Sequence, residues 1–207
     1  MELRNICQEF VDRVHSVHGL YIDIVEGFIR WRKEAQHEQQ KLVQKLKARH
    51  GSHHHNVRNP DTIEVVYSEN WPKDRNFKIL HRSTMGDVLR RLNADGDDYR
   101  LAANVCIVMI FQWWEDEYRA RIANYLGRPK SDIRCDIMGD LRFFRASIIH
   151  KNGVAIDEVS RCKVLTWFKP GDVILVTREQ FKQLIDAIYH GMEQLYTDLL
   201  TLDPKEV

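Results

Sequence analysis

The stretch LRFFRASIIHKNG, residues 141–153, places an arginine and a histidine five positions apart, shortly before a glycine. A guanidinium group can bind an anion, and an imidazole can take up or release a proton near neutral pH. Arg145 and His150 are therefore either a catalytic pair or an interface arginine followed by a histidine that ends a helix. The choice depends on the geometry of the helix that carries them.

Arg145 falls within an apolar stripe if this stretch is helical. Each residue of an ideal α-helix turns by about 100°, and four apolar side chains then lie within roughly 60° of Arg145: Met138, Leu141, Ile148 and Ile149. Because burial of an unpaired charge costs several kcal/mol, the arginine needs an ion partner or an interface where it reaches an anion. With Arg142 on the same side, we expect this face to form a dimer interface.

His150 does not share that face on a straight helix. Five residues correspond to about 500°, which places its side chain about 140° away from Arg145. The helix could loosen before Gly153 so that His150 swings round. Alternatively, two copies of the chain could combine their side chains across a two-fold interface.

The longer run LRFFRASIIHKNGVA resembles the signature of HEPN domains, an all-α superfamily of prokaryotic toxin, antiphage and RNA-processing proteins. The hallmark of that superfamily is an arginine, four to six further residues and then a histidine. The resemblance extends over about residues 97–176 and is looser in the N-terminal helix. It implies a metal-independent endoribonuclease without a cofactor, in which two protomers form one composite site in a dimer cleft.

This resemblance also implies roles for individual residues. Arg145 would bind the scissile phosphate, and His150 would act as general base or acid in the attack of the ribose 2′-hydroxyl. The position after the arginine is often Asn or Asp in active members, whereas here it is Ala146. Supporting contacts to RNA are expected from four neighbouring residues: Arg142, Ser147, Lys151 and Asn152. A toxin or antiviral role would imply a cognate antitoxin or a defence-system partner protein.

Other interpretations of the motif are structural. Arg145 could form an ion pair with Asp140 or with a carboxylate of the WWEDEYR segment. His150 could simply complement the dipole at a helix C-terminus. The alternative function is then a catalytically inactive HEPN-like module that dimerises through the same face and scaffolds or regulates a partner protein.

Three further clusters of polar residues could bind a metal ion, RNA or a partner protein. His53–His55 form a run in a loop with no acidic or cysteine partner nearby, so we predict no metal site there. Asp136 and Asp140 are four residues apart, a spacing that fits a cation but is more typical of solvation or salt bridges. Residues 30–49 hold seven Lys/Arg and two Glu, a net charge of +5. This basic arm is a solvated helix face, an RNA contact or a docking site for a partner protein.

The pattern of apolar residues predicts an all-α fold, an antiparallel bundle of four to five helices with two irregular excursions that include short strands. We expect a single domain over residues 1–207. Its parts are a long N-terminal helix (1–49), a loop excursion (50–82) with strand-like TIEVVY, and core helices carrying the motif (83–200). Predicted helix signals are Ser83 and Ser131 as N-caps, Gly127 and Gly153 as C-terminal stops, and a capping box of Thr177 with Gln180.

Bulk composition excludes several classes of protein. Lys+Arg 31 against Asp+Glu 30 gives a net charge of +1, so no global field favours nucleic acid. The four cysteines are scattered without a Cys-x-x-Cys pair, which argues against a disulfide scaffold or zinc knuckle. No apolar run is long enough to cross a membrane. The sequence therefore predicts a cytoplasmic protein with no membrane partner.

Overall fold

The structure is a computed structural model that describes residues 2–50, 59–94 and 96–202. The chain is mainly helical, as predicted. Its helices are α1 (Glu2–His50), α2 (Met85–Arg91), α3 (Asp97–Trp113), α4 (Arg119–Tyr125), α5 (Asp136–His150) and α6 (Arg178–Leu202). Two strands, β1 (Glu64–Glu69) and β2 (Lys78–Thr84), form an antiparallel hairpin. None of the described helices is both long enough and apolar enough to cross a membrane.

The first helix is continuous, and the apolar spacing predicts six of its buried side chains: Leu3, Ile6, Phe10, Val14, Val17 and Tyr21. The same spacing predicts Ile24 as the next buried residue, but Ile24 is half-buried and Val25 is buried instead. The basic arm forms the distal part of the same helix. The exposed side chains of Lys41 and Lys45 agree with a solvated face there.

The chain groups into two compact units, whereas the sequence predicted a single domain. One unit comprises the residues up to Asp23 and those from Arg100 onward, and the other comprises Ile24–Tyr99. The smaller unit has its own apolar cluster, to which α1, α2 and the hairpin contribute: Ala35, Met85, Val88 and Leu92, with Phe28, Ile63, Val65 and Leu89 packed against them.

The hairpin occupies much of the region predicted as a loop excursion. The composition of TIEVVY indicated β1, but β2 was not predicted. Tyr67 pairs with His81 and Val65 with Ser83. Because Ser83 belongs to the strand pair, it does not cap α2 as predicted, and the hydroxyl of Thr84 accepts the Asp87 N–H instead, at 3.2 Å.

The helical segment that starts with α3 and ends near Gly127 changes its helix type midway. A π-helical turn, Trp114–Tyr118, lies between α3 and α4. It buries Trp114 and Tyr118 against Phe10, at ring-centroid distances of 5.6 and 5.1 Å. The segment ends near Gly127, as predicted, where the backbone has a φ of +61°.

The predicted N-terminal cap is absent from α5 and present in α6. Ser131 does not cap α5, because it lies in a short 3₁₀ turn and the chain then extends to bury Ile133 before the helix begins at Asp136. The predicted capping box of α6 is confirmed. Thr177 Oγ1 accepts the Gln180 N–H at 3.2 Å, and Gln180 Oε1 accepts the Thr177 N–H at 3.0 Å.

Candidate functional site

Arg145 and His150 meet within one chain, near the C-terminal end of α5. Arg145 Nη1 lies 3.4 Å from His150 Nε2. The backbone is still helical at His150 and leaves the helix at Lys151, with φ −129° and ψ 22°. The ideal-helix argument set the two side chains about 140° apart. It did not allow for the length of the arginine side chain, which spans that angle without a second protomer.

The contact pairs a donor with a ring nitrogen. A guanidinium group has only N–H donors, so Nε2 is the acceptor in any hydrogen bond between these two groups. His150 Nε2 therefore lies beside a permanent positive charge.

Arg145 forms no ion pair with a described carboxylate. The structural interpretation named Asp140 and the WWEDEYR segment as possible partners. Asp140 instead accepts backbone N–H groups, and Glu115 of that segment pairs with Arg119 and Lys130, each at 2.8 or 2.9 Å. The half-buried Arg145 also has an Nε that is buried and has no hydrogen-bond partner. The Nη edge of its guanidinium is thus the edge left to bind an anion.

The turn after His150 is fixed by hydrogen bonds to Ser147. The Ser147 carbonyl accepts the N–H groups of Lys151 and Gly153, at 3.0 and 3.1 Å. Asn152 and Gly153 both have positive φ, +50° and +80°, which closes the turn tightly. This local geometry holds the His150 backbone in one position.

Ser147 is a structural residue, which corrects its predicted role in binding RNA. Its side chain is fully buried. The hydroxyl donates to the Phe143 carbonyl at 2.8 Å and accepts the Ile156 N–H at 3.1 Å. These bonds tie the chain after the turn back to α5.

A second segment packs against this turn and completes its support. Val154 forms a β-bridge with Val173, and the Ile174 N–H donates to the Gly153 carbonyl at 2.7 Å. The composition of the VILV segment, residues 173–176, fits a short strand or a tight extended segment, and among the described residues it forms this isolated bridge. Together, these bonds hold both sides of the turn that carries the histidine.

Asp140 anchors a third segment to α5, a role that sequence analysis missed. The carboxylate is only 2% exposed and accepts the N–H groups of Lys163, Val164 and Leu165, at 2.7 to 2.9 Å. A carboxylate inside the amphipathic pattern of α5 is the signal that could have indicated such an anchor. Asp136 forms a salt bridge with Lys163 Nζ at 2.7 Å, so these acids form structural contacts rather than a cation pair.

The other predicted RNA contacts differ in position. Lys151 and Asn152 are exposed on the turn directly after His150. Arg142 is also exposed, but its guanidinium lies over the Phe143 ring at 5.0 Å. Ala146 is half-buried and offers no polar atom beyond its backbone. The polar group that active HEPN domains often carry at this position is therefore missing from the site.

The predicted dimer interface is wrong for two of its four residues. Met138 and Leu141 are buried in the core of their own chain, because that side of α5 packs inward. Ile148 is half-buried, and Ile149 is 51% exposed. Ile149 is one of three exposed apolar residues at the turn, which we call the apolar rim: Ile149, Val154 and Val173.

Neither thiol nor metal chemistry is indicated by the described residues. All four cysteines are free. Burial raises the pKa of the Cys7, Cys106 and Cys135 thiols to about 11. Burial, with a smaller effect of Asp140, raises the pKa of Cys162 to about 12. No group of described His, Cys, Asp or Glu side chains could hold a metal ion, and His53–His55 lie outside the described residues.

Comparison with known proteins matched no protein family, no characterised protein and no solved structure. The resemblance to HEPN domains therefore depends on the sequence motif that surrounds Arg145 and His150.

Proposed function

We propose that the chain is a metal-independent endoribonuclease, of a toxin or antiphage type, that acts in the cytoplasm. The observation that carries the proposal is the 3.4 Å contact between Arg145 Nη1 and His150 Nε2, on a guanidinium that forms no ion pair with a described carboxylate. A guanidinium group without a carboxylate partner, beside an imidazole, suits the binding of a phosphate next to a hydroxyl. The HEPN-like motif supplies the reaction class.

In this proposal, the Nη edge of Arg145 binds the scissile phosphate and stabilises the charge that develops on it. Once Arg145 donates to the phosphate instead of to Nε2, His150 Nε2 takes the proton of the ribose 2′-hydroxyl. The 2′-oxygen then forms a bond to phosphorus while the bond from phosphorus to the 5′-oxygen breaks. The departing oxygen takes a proton from a second imidazole or from water. The products are a 2′,3′-cyclic phosphate and a 5′-hydroxyl.

The second imidazole would come from a second copy of the chain. A two-fold dimer brings the same face of each subunit together, so each site would contain both motifs. Since Met138 and Leu141 are buried, the apolar rim is the surface available near the motif for this contact. A cognate antitoxin or defence-system partner that restrains the activity would cover or separate this face.

Cleavage of RNA by purified protein in EDTA tests the proposal. We expect Arg145→Ala and His150→Ala each to lower the rate by a factor of about 100 or more, the range typical of general acid–base and charge-stabilising groups. Arg4→Ala and His190→Ala remove an exposed arginine and histidine elsewhere, and serve as controls that keep full activity. Product analysis should find cyclic phosphate ends. Equal cleavage by the wild type and both motif variants would refute the assignment.

A non-catalytic dimerisation module is the second candidate, and Ala146 together with the apolar rim favours it. This function predicts no cleavage of any RNA under the same conditions. It also predicts that Ile149→Asp weakens self-association, because a carboxylate would be buried in the interface. Sedimentation analysis measures this effect, and a dimer unaffected by Ile149→Asp would exclude the apolar rim as its interface.

A further inference from the structure

A cavity of about 350 Å³ lies beside the N-terminal end of α5, on the larger unit and away from the Arg145–His150 contact. Its volume is within the range of pockets that hold small organic ligands. Four apolar side chains and two arginines are among the residues that line it: Phe111, Trp114, Ile133, Met138, Arg134 and Arg142. Arg142 is also one of the predicted RNA contacts, but neither Arg145 nor His150 lines the cavity.

Acidic side chains in the cavity already have cationic partners. Glu115 lies 2.9 Å from Arg119 Nη1 and 2.8 Å from Lys130 Nζ. Asp136 lies 2.7 Å from Lys163 Nζ. The salt bridges therefore compensate the negative charge that lines the cavity.

The two remaining cations of the cavity have no acidic partner among the described residues. Arg134 donates through Nε to the Ser131 carbonyl at 3.3 Å, which leaves the other N–H groups of its guanidinium available. Arg142 lies over the Phe143 ring and forms no ion pair. Two guanidinium groups thus give the cavity an excess of positive charge that an anion could compensate.

The base of the cavity is apolar and firmly packed. Trp114, Ile133 and Met138 are each at most 2% exposed, and Phe111 is nearly as buried. The π-helical turn starts at Trp114 and contributes that ring and Glu115 to the cavity. π-Helical turns occur frequently at functional sites. An organic group in the cavity would lie beside these side chains while its charged end faces the arginines.

Gly139 keeps one wall of the cavity open. This residue is in the second turn of α5, and a Cβ added there would have no atom within 4 Å. A larger side chain at this position would extend into the cavity without altering either arginine. The position therefore offers a way to fill the cavity independently of its charge.

We propose that this cavity binds a small organic anion with a carboxylate or phosphate head group. The head group contacts Arg134 and Arg142, and the organic body occupies the rest of the cavity. A carboxylate and a phosphate can both accept hydrogen bonds from the two guanidinium groups. The experiment therefore compares one probe of each kind.

Isothermal titration calorimetry of the full chain at low salt tests the site with three probes. Indole-3-acetate carries a carboxylate, adenosine monophosphate carries a phosphate, and inorganic phosphate has no apolar body. We expect at least one ring-bearing probe to bind ten or more times more tightly than inorganic phosphate. Arg134→Ala and Arg142→Ala should each weaken that probe about tenfold, as expected for one charge-assisted contact.

Filling the cavity provides a separate test. Gly139→Phe should abolish binding of the same probe, whereas Gly19→Phe should preserve it, because Gly19 is another helical glycine with open space at its Cβ. Circular dichroism establishes that both glycine variants are folded. Arg134 and Arg142 are exposed, so their substitution by alanine should leave the fold intact and tests the site independently. Absence of binding by both ring-bearing probes, or unchanged binding in both arginine variants, would overturn the proposal.

Discussion

Asp140 and Arg145 are charged side chains five residues apart on α5, and the chain surrounds them in opposite ways. Three backbone N–H groups converge on the Asp140 carboxylate. Arg145 receives no carboxylate from the described residues, and one of its buried N–H groups has no partner. The same helix thus carries one charge that is fully hydrogen-bonded and one that has no partner of opposite charge among the described residues.

Asp140 contributes to the stability of the fold, whereas Arg145 is available to bind another molecule. Hydrogen bonds to a buried carboxylate stabilise the fold, and they also prevent Asp140 from binding any other group. A buried donor without a partner costs free energy, so its retention at Arg145 is hard to explain by stability alone. We therefore expect substitutions at the two positions to have opposite effects on folding.

The largest effect is expected for Asp140→Ala. Loss of the carboxylate leaves three N–H groups of the 163–165 segment without their acceptor, which should lower the free energy of unfolding by about 3–5 kcal/mol. Urea denaturation measures the change. Asp140→Asn keeps one acceptor oxygen and should lose less. A loss below about 1 kcal/mol for the alanine variant would contradict the anchoring role.

Gly153→Ala should have the next largest effect. The glycine has a φ of +80° at the turn that holds His150, and an L side chain there costs roughly 1–2 kcal/mol. Thermal unfolding should therefore shift to a lower temperature. Gly139→Ala is the matched control, since its Cβ has free space on a helix and alanine favours that conformation. Equal shifts in the two variants would argue against strain at the turn.

Arg145→Met should leave stability unchanged or raise it by up to about 1 kcal/mol. Methionine retains an apolar stem of similar length and removes the buried N–H that has no partner. The same variant should lose RNA cleavage if the proposed function holds. Chemical denaturation compared with wild type measures the first effect. A loss of more than about 1.5 kcal/mol would indicate a structural role for the guanidinium.

The smallest effect is expected for Asp136→Asn, which removes the salt bridge to Lys163. Both side chains are more than half exposed, and such pairs contribute about 0–0.5 kcal/mol. Urea denaturation at low salt should place this variant within error of the wild type. A loss comparable to that of Asp140→Ala would mean that the two acids of α5 act as one unit.

The periodic elements could be predicted from the sequence, because their apolar spacing alone indicates which face is buried. The stripe of α1 and the capping box of α6 are examples. The first residues of the helices were harder to predict from the sequence. Ser131 has the right residue type for a cap, but the burial of Ile133 moves the start of α5 to Asp136. Tertiary packing determined that boundary.

For the candidate site, the motif residues were identified from the sequence but their arrangement was not. An idealised helix gives directions of Cβ atoms and cannot show that a long side chain brings Arg145 to His150. The stripe also could not distinguish a core from an interface, so Met138 and Leu141 were assigned to the wrong surface. The contacts of Asp140 involve residues more than twenty positions away, and no local pattern encodes them.

The π-helical turn at Trp114–Tyr118 has a consequence for the ancestry of the fold. Such a turn accommodates one residue more than an α-turn, so it is equivalent to a single-residue insertion into a continuous helix. Deletion of that residue would convert the π-turn into an α-turn and leave the helix on either side, including the buried Ile122 of α4, facing the core as before. A homologous chain that lacks the turn would therefore align with this one across a one-residue gap, with the same core on both sides of it.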